Sequence, residues 1–94
     1  MYSRREYKIY IMNKQDIVNQ LGGIVAKEII KQPRKVIKPD ESLIKSGLID
    51  SFSLVDLGLA VEREFDVHLD DTELSADTFD TLNQLADVIL ERKK

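Results

Sequence analysis

The chain has 94 residues, no cysteine and a net charge of −3. That length makes one small domain, and without thiols it holds neither a disulfide nor a thiolate metal centre. No apolar run approaches the roughly 20 residues needed to cross a bilayer and the N-terminus lacks the apolar core of a signal peptide, so a soluble cytoplasmic protein is expected.

Residues 1–11, MYSRREYKIYI, are basic and rich in tyrosine. They match nothing that follows and read as an N-terminal extension to a domain over 12–94. Ile17, Val18, Leu21, Ile24, Val25 and Ile29 then recur at the period of an amphipathic helix. Asn13 is placed to cap it, with Asp16 in its first turn. Gly22 and Gly23 weaken the helix, and Pro33 ends it.

Residues 33–50 form a long connection in which Val36, Ile37, Leu43, Leu48 and Ile49 can pin the chain across a core. Gly47 suits a tight turn there. A second helix is expected over 51–64, with Leu54, Leu57, Gly58, Val61 and Phe65 on one face. A short helical turn around Asp71–Leu74 follows. The last helix opens on Thr81 and Gln84, a capping-box pair, and carries Leu82, Leu85, Ala86 and Ile89 as its stripe. No strand pattern competes, so the fold class is all-α: a small bundle of three main helices plus one short helix, with a long loop between the first two.

Charge is divided unevenly along the chain. Residues 1–49 hold ten Lys/Arg against five Asp/Glu, whereas residues 50–91 hold one Arg against twelve acids. The acidic half repels phosphate backbones, which argues against nucleic acid. It also steers toward basic patches on other proteins.

The segment Gly47-Leu48-Ile49-Asp50-Ser51-Phe52-Ser53-Leu54-Val55-Asp56-Leu57 sets Asp50-Ser51 where a loop becomes a helix. Either residue could be an ordinary N-cap. A helix N-terminus also offers unpaired amides that favour an anionic group on an exposed serine. Val55 and Leu59 lie four and eight residues after Ser51, on its face of the helix, and Asp56 and Glu62 flank them. Such a face could dock basic enzyme surfaces, or the two apolar residues could line the core or a cavity.

The stretch from Gly47 to Phe65 resembles the prosthetic-group segment of acyl carrier proteins, with its Asp-Ser pair, an apolar residue next, an apolar-acidic-Leu triplet and an acidic helix end closed by Phe. Here these are Asp50-Ser51, Phe52, Val55-Asp56-Leu57 and Glu62-Arg63-Glu64-Phe65. The resemblance extends more loosely over residues 12–90. It implies a discrete, non-catalytic, monomeric carrier in which Ser51 receives a 4′-phosphopantetheine arm from coenzyme A. A separate phosphopantetheinyl transferase would supply base and Mg²⁺, and Asp50 would sit beside the new phosphate. The arm's thiol would hold acyl intermediates as thioesters for acyl-activating or acyl-transferring enzymes of fatty-acid, polyketide or related pathways.

The pattern is departed from at Ser53, where many fatty-acid carriers have an acid, and at Arg63, which interrupts the acidic helix end. Both point to a dedicated carrier, and D-alanyl carriers with a similar Asp-Ser segment keep an aminoacyl cargo open. An unmodified acidic helical adaptor is the rival from another class. A serine hydrolase fits poorly, because Ser51 is in no Gly-x-Ser-x-Gly elbow and His68 is the lone imidazole. The acid-rich run 66–77 fails the EF-hand pattern at its third, sixth and last positions, so no metal site is expected.

Overall fold

The computed structural model describes residues 13–93. The extension expected over 1–11 lies outside them. Three α-helices make up the frame: α1 (Lys14–Ile24), α2 (Ser51–Phe65) and α3 (Leu82–Arg92). A π-helical turn, Val25–Ile29, continues α1, and a 3-10 turn spans Asp71–Glu73. No strand occurs among the described residues. The all-α bundle with a long first connection is therefore the observed fold.

The helix starts follow from local chemistry. Asn13 accepts from the Asp16 amide while Asp16 accepts from the Asn13 amide, and Thr81 and Gln84 make the same reciprocal pair at α3. Each pair satisfies amides that the first helical turn leaves without a partner. A third capping box, Asp70 with Glu73, opens the 3-10 turn.

The first helix departs from expectation before Pro33. Its α-helical part stops at Ile24, and the Ile30 amide reaches back five residues to Val25, at 2.9 Å. Ile24, Val25, Ala26 and Ile29 are all buried and Ile30 packs against them. Five apolar residues in seven are too dense for one stripe at 3.6 residues per turn; a wider turn brings them all to the core. Lys31 then takes a left-handed conformation, with φ of 56°, and ends the helix ahead of the proline.

All the helix residues expected in the core are buried, and Phe79, Val67 and Leu69 join them. The connection 33–50 is pinned by Ile37, Leu43 and Ile49, with Leu48 half-buried. Val36 does not take part: it is 82% exposed. Its neighbour Ile37 takes the inward place instead, at 8% exposed.

Polar contacts hold the same segment to the start of α3. The Asp80 carboxylate accepts from Ser42 Oγ at 2.6 Å and from the amides of Ile44 and Lys45 at 2.7 and 2.9 Å. The Asn83 amide donates to the Pro39 carbonyl and its side chain to Asp40. Gly47 turns the chain with φ of +83°, and its amide donates to the Ile44 carbonyl. The connection thus arrives at Asp50 from a fixed direction.

Candidate functional site

Two residues competed in the sequence for the cap of α2, and the structure separates their roles. Asp50 is the N-cap: its extended backbone precedes the helix and its carboxylate accepts from the Ser53 amide at 2.8 Å. Hydrogen bonding to the Ser53 amide, then to the Ser53 side chain, holds the Asp50 carboxyl below its ordinary range. It is an anion at neutral pH. Ser51 is the first helical residue and is exposed, so its hydroxyl is not needed as a cap. The first-turn amides, which have no acceptor within the helix, lie beside it.

Alternation of faces along α2 sorts the remaining residues. Leu54, Leu57, Gly58, Ala60, Val61 and Phe65 are buried. Gly58 has a steric reason: a Cβ there would lie 3.3 Å from Leu74 Cδ2, so the glycine admits the Leu74 side chain against the helix. On the outward face, Phe52 is 88% exposed, Val55 49% and Leu59 61%. Neither Val55 nor Leu59 lines the core. The structure therefore brings Ser51, Phe52, Val55 and Leu59 together on one open surface, with Asp56 and Glu62 exposed beside them.

The acids of this face differ in what they touch. No ion pair of Asp56 is formed among the described residues. The Glu62 carboxylate meets His68 Nδ1 at 2.7 Å. Arg63 turns to Glu28 on the π-helical turn, at 2.8 Å, and to Glu64. The residue that broke the acidic run thus ties the far end of α2 to α1, leaving Glu62 as the acid facing outward.

Phe52 and His68 were not singled out as surface contacts from sequence. The signal for Phe52 was available, since it stands off the Leu54/Leu57/Val61 stripe. His68 sits outside the helix, six residues beyond Glu62, and no helical spacing connects the two.

Residues 20–89 match the family model described as the phosphopantetheine attachment site. The D-alanyl carrier protein of Bacillus subtilis is 32% identical over 80 residues, covering 85% of this chain and 96% of that protein. This chain belongs to the acyl carrier protein family. The D-alanyl carrier protein of Bacillus pumilus is 32% identical over 79 residues, covering 80% of this chain and 95% of its own. An acyl carrier protein of Cyanidioschyzon merolae is 32% identical over 83 residues, covering 88% of each chain.

The prosthetic group of the family is 4′-phosphopantetheine. The residues present fit it: an exposed serine hydroxyl at a helix N-terminus can take a phosphodiester without desolvation, and the nearby amides suit its negative charge. No helix among the described residues is long and apolar enough to cross a membrane.

Proposed function

We propose that Ser51 bears the 4′-phosphopantetheine arm and that this chain carries acyl groups on it as thioesters, presenting them to biosynthetic enzymes. The observation that carries the reading is the division of labour at the start of α2, where Asp50 caps the helix and Ser51 stands free beside it.

In the loading step the Ser51 Oγ forms a bond to the β-phosphorus of coenzyme A. The phosphoanhydride bond breaks, adenosine 3′,5′-bisphosphate leaves, and the hydroxyl proton passes to a base of the phosphopantetheinyl transferase. The arm, once attached, supplies the thiol that this cysteine-free chain lacks. Asp50 fixes the helix start that positions Ser51 and remains beside the new phosphodiester.

Docking is assigned to the face below Ser51. Val55 and Leu59, with Phe52 above them, supply apolar contact. Asp56 and Glu62 supply charge complementary to basic patches on partner enzymes. Carriers of this kind need no catalytic group of their own.

A second reading concerns the cargo. The relatives from two Bacillus species are D-alanyl carriers, which favours an aminoacyl thioester over a long acyl chain.

Incubation with coenzyme A and a broad-specificity phosphopantetheinyl transferase, read by intact mass, tests the attachment. One added phosphopantetheine is expected in the wild type and none in Ser51→Ala. An unmodified wild type, with the transferase active on a known carrier, would favour the adaptor reading. In the same assay Asp56→Lys combined with Glu62→Lys should slow modification most at low ionic strength.

A further inference from the structure

His68 stands outside the assigned face yet touches it. Its Nδ1 lies 2.7 Å from Glu62 Oε1 and its Nε2 lies 3.0 Å from Asp70 Oδ1. An ionised carboxylate only accepts, so each ring nitrogen must donate, and an imidazole that donates from both nitrogens is the imidazolium. The ring bridges the last turn of α2 to the segment before the 3-10 turn. In doing so it sets a positive charge against an acid of the docking face.

We propose that His68 is a specificity-determining residue of the docking surface, whose imidazolium masks Glu62 from basic partners and releases it as the ring loses its proton. This rests on the carrier reading given above. Charged groups from three elements surround the ring. α2 contributes Glu62, and the following segment contributes Asp70 and Glu73. α3 contributes Arg92, which donates to the His68 carbonyl and pairs with Glu73. Arg92 is therefore already committed and does not replace His68 opposite Glu62.

Hydrogen bonding to Glu62 first, and to Asp70 second, raises the His68 pKa from its ordinary value near 6.5. The change in charge consequently falls above that value. Below it the trio Glu62–His68–Asp70 carries one net negative charge; above it, two. One unit charge about 5 Å from a partner cation in water alters encounter about fourfold.

The test compares wild type with His68→Gln, which is neutral throughout, as substrates of a broad-specificity phosphopantetheinyl transferase. Taking the ratio of their kcat/KM values at each pH removes the enzyme's own pH dependence. His68→Gln should be modified about fourfold faster below the His68 titration, and the ratio should fall toward one above it. Its midpoint should coincide with the His68 titration followed by NMR, and the effect should shrink at ~0.5 M salt. In a Glu62→Gln background the midpoint should move down, because the largest cause that raises the His68 pKa is removed.

A ratio flat with pH, or a midpoint that stays in place in the Glu62→Gln background, would overturn the assignment while leaving Ser51 as the attachment point. A wild-type chain that accepts no phosphopantetheine at all would remove the carrier reading and this inference with it.

Discussion

Replacing Asp80 by alanine should cost this domain a large share of its stability, although the residue belongs to no helix. Its carboxylate accepts three hydrogen bonds, from Ser42 Oγ and from the amides of Ile44 and Lys45. These close a loop of more than thirty residues onto the start of α3. Bonds to a charged acceptor contribute about 1.5–3 kcal/mol each in protected sites. Asp80 is partly open to solvent, so about 1 kcal/mol each is appropriate and the expected loss is ~2–4 kcal/mol. Against a total of about 5–14 kcal/mol for a chain of this size, the melting temperature should fall by about 10–20 °C. Thermal and urea unfolding followed by far-UV circular dichroism measure this directly. Asp87→Ala is the control: that acid pairs with Lys14 on an exposed surface and should cost less than about 0.5 kcal/mol. Asp80→Asn should fall between, since one side-chain oxygen remains to accept from the two amides. Burial pulls the Asp80 carboxyl upward, but hydrogen bonds from Ser42, Lys45 and Ile44 outweigh it and hold the pKa low. Its contribution is therefore present above the unfolded value near 3.8 and lost as pH falls below it. Equal stabilities for Asp80→Ala and Asp87→Ala would refute the reasoning.

Glycine substitutions at two sites should move stability in opposite directions. A Cβ at Gly23 meets nothing within 4 Å, so Gly23→Ala should gain about 1 kcal/mol from helix propensity alone, whereas Gly47→Ala forces a side chain into φ of +83° and should lose about 1–2 kcal/mol; chemical denaturation distinguishes the two. Acid unfolding should report the Glu73–Arg92 pair. The hydrogen bond from Arg92, and next the Asp70 amide, lower the Glu73 pKa from 4.5 to about 2, so the stability it lends is complete above the unfolded value and lost as pH falls toward 2. Glu73→Gln should flatten that part of the stability–pH curve.

How much of this could be read from the residues depends on how far each cause lies from its effect. Both main capping boxes were legible, because Asn13 with Asp16 and Thr81 with Gln84 act across three positions. The Asp70–Glu73 box had the same spacing and was open to the same reading. The stripe of α2 was legible from its period; that Val55 and Leu59 share the face of Ser51 was legible too, but whether that face meets solvent or a cavity was not. The π-helical turn was not, since an excess of apolar residues after Ile24 shows only that one stripe is too narrow. It does not say how the backbone will relieve the crowding. Asp80 was invisible for a different reason: its partners lie 35 to 38 positions away, and an aspartate before a helix-capping threonine looks like ordinary loop. The choice between Asp50 and Ser51 as cap was open in sequence because both residues serve equally well. It was settled by which backbone is extended and which is already helical.

That choice explains why the candidate site sits on a helix and not in the long loop before it. A tethered group exchanged between enzymes needs an attachment point that each partner meets in the same orientation. α2 meets this need because both its ends are held: Asp50 caps the start, and Arg63 bridges to Glu28 near the end. Its inward face is fully committed to the core, so it cannot rotate without exposing Leu57, Val61 and Phe65. The outward face is correspondingly free of structural duty. Ser51, Phe52, Val55, Asp56 and Leu59 are all exposed, and substitutions there should leave folding nearly untouched. Glu62 is the exception, because its carboxylate is bonded to His68. His68 lies beyond the helix end, so on the proposed reading the charge of that face changes while the helix that carries it stays still.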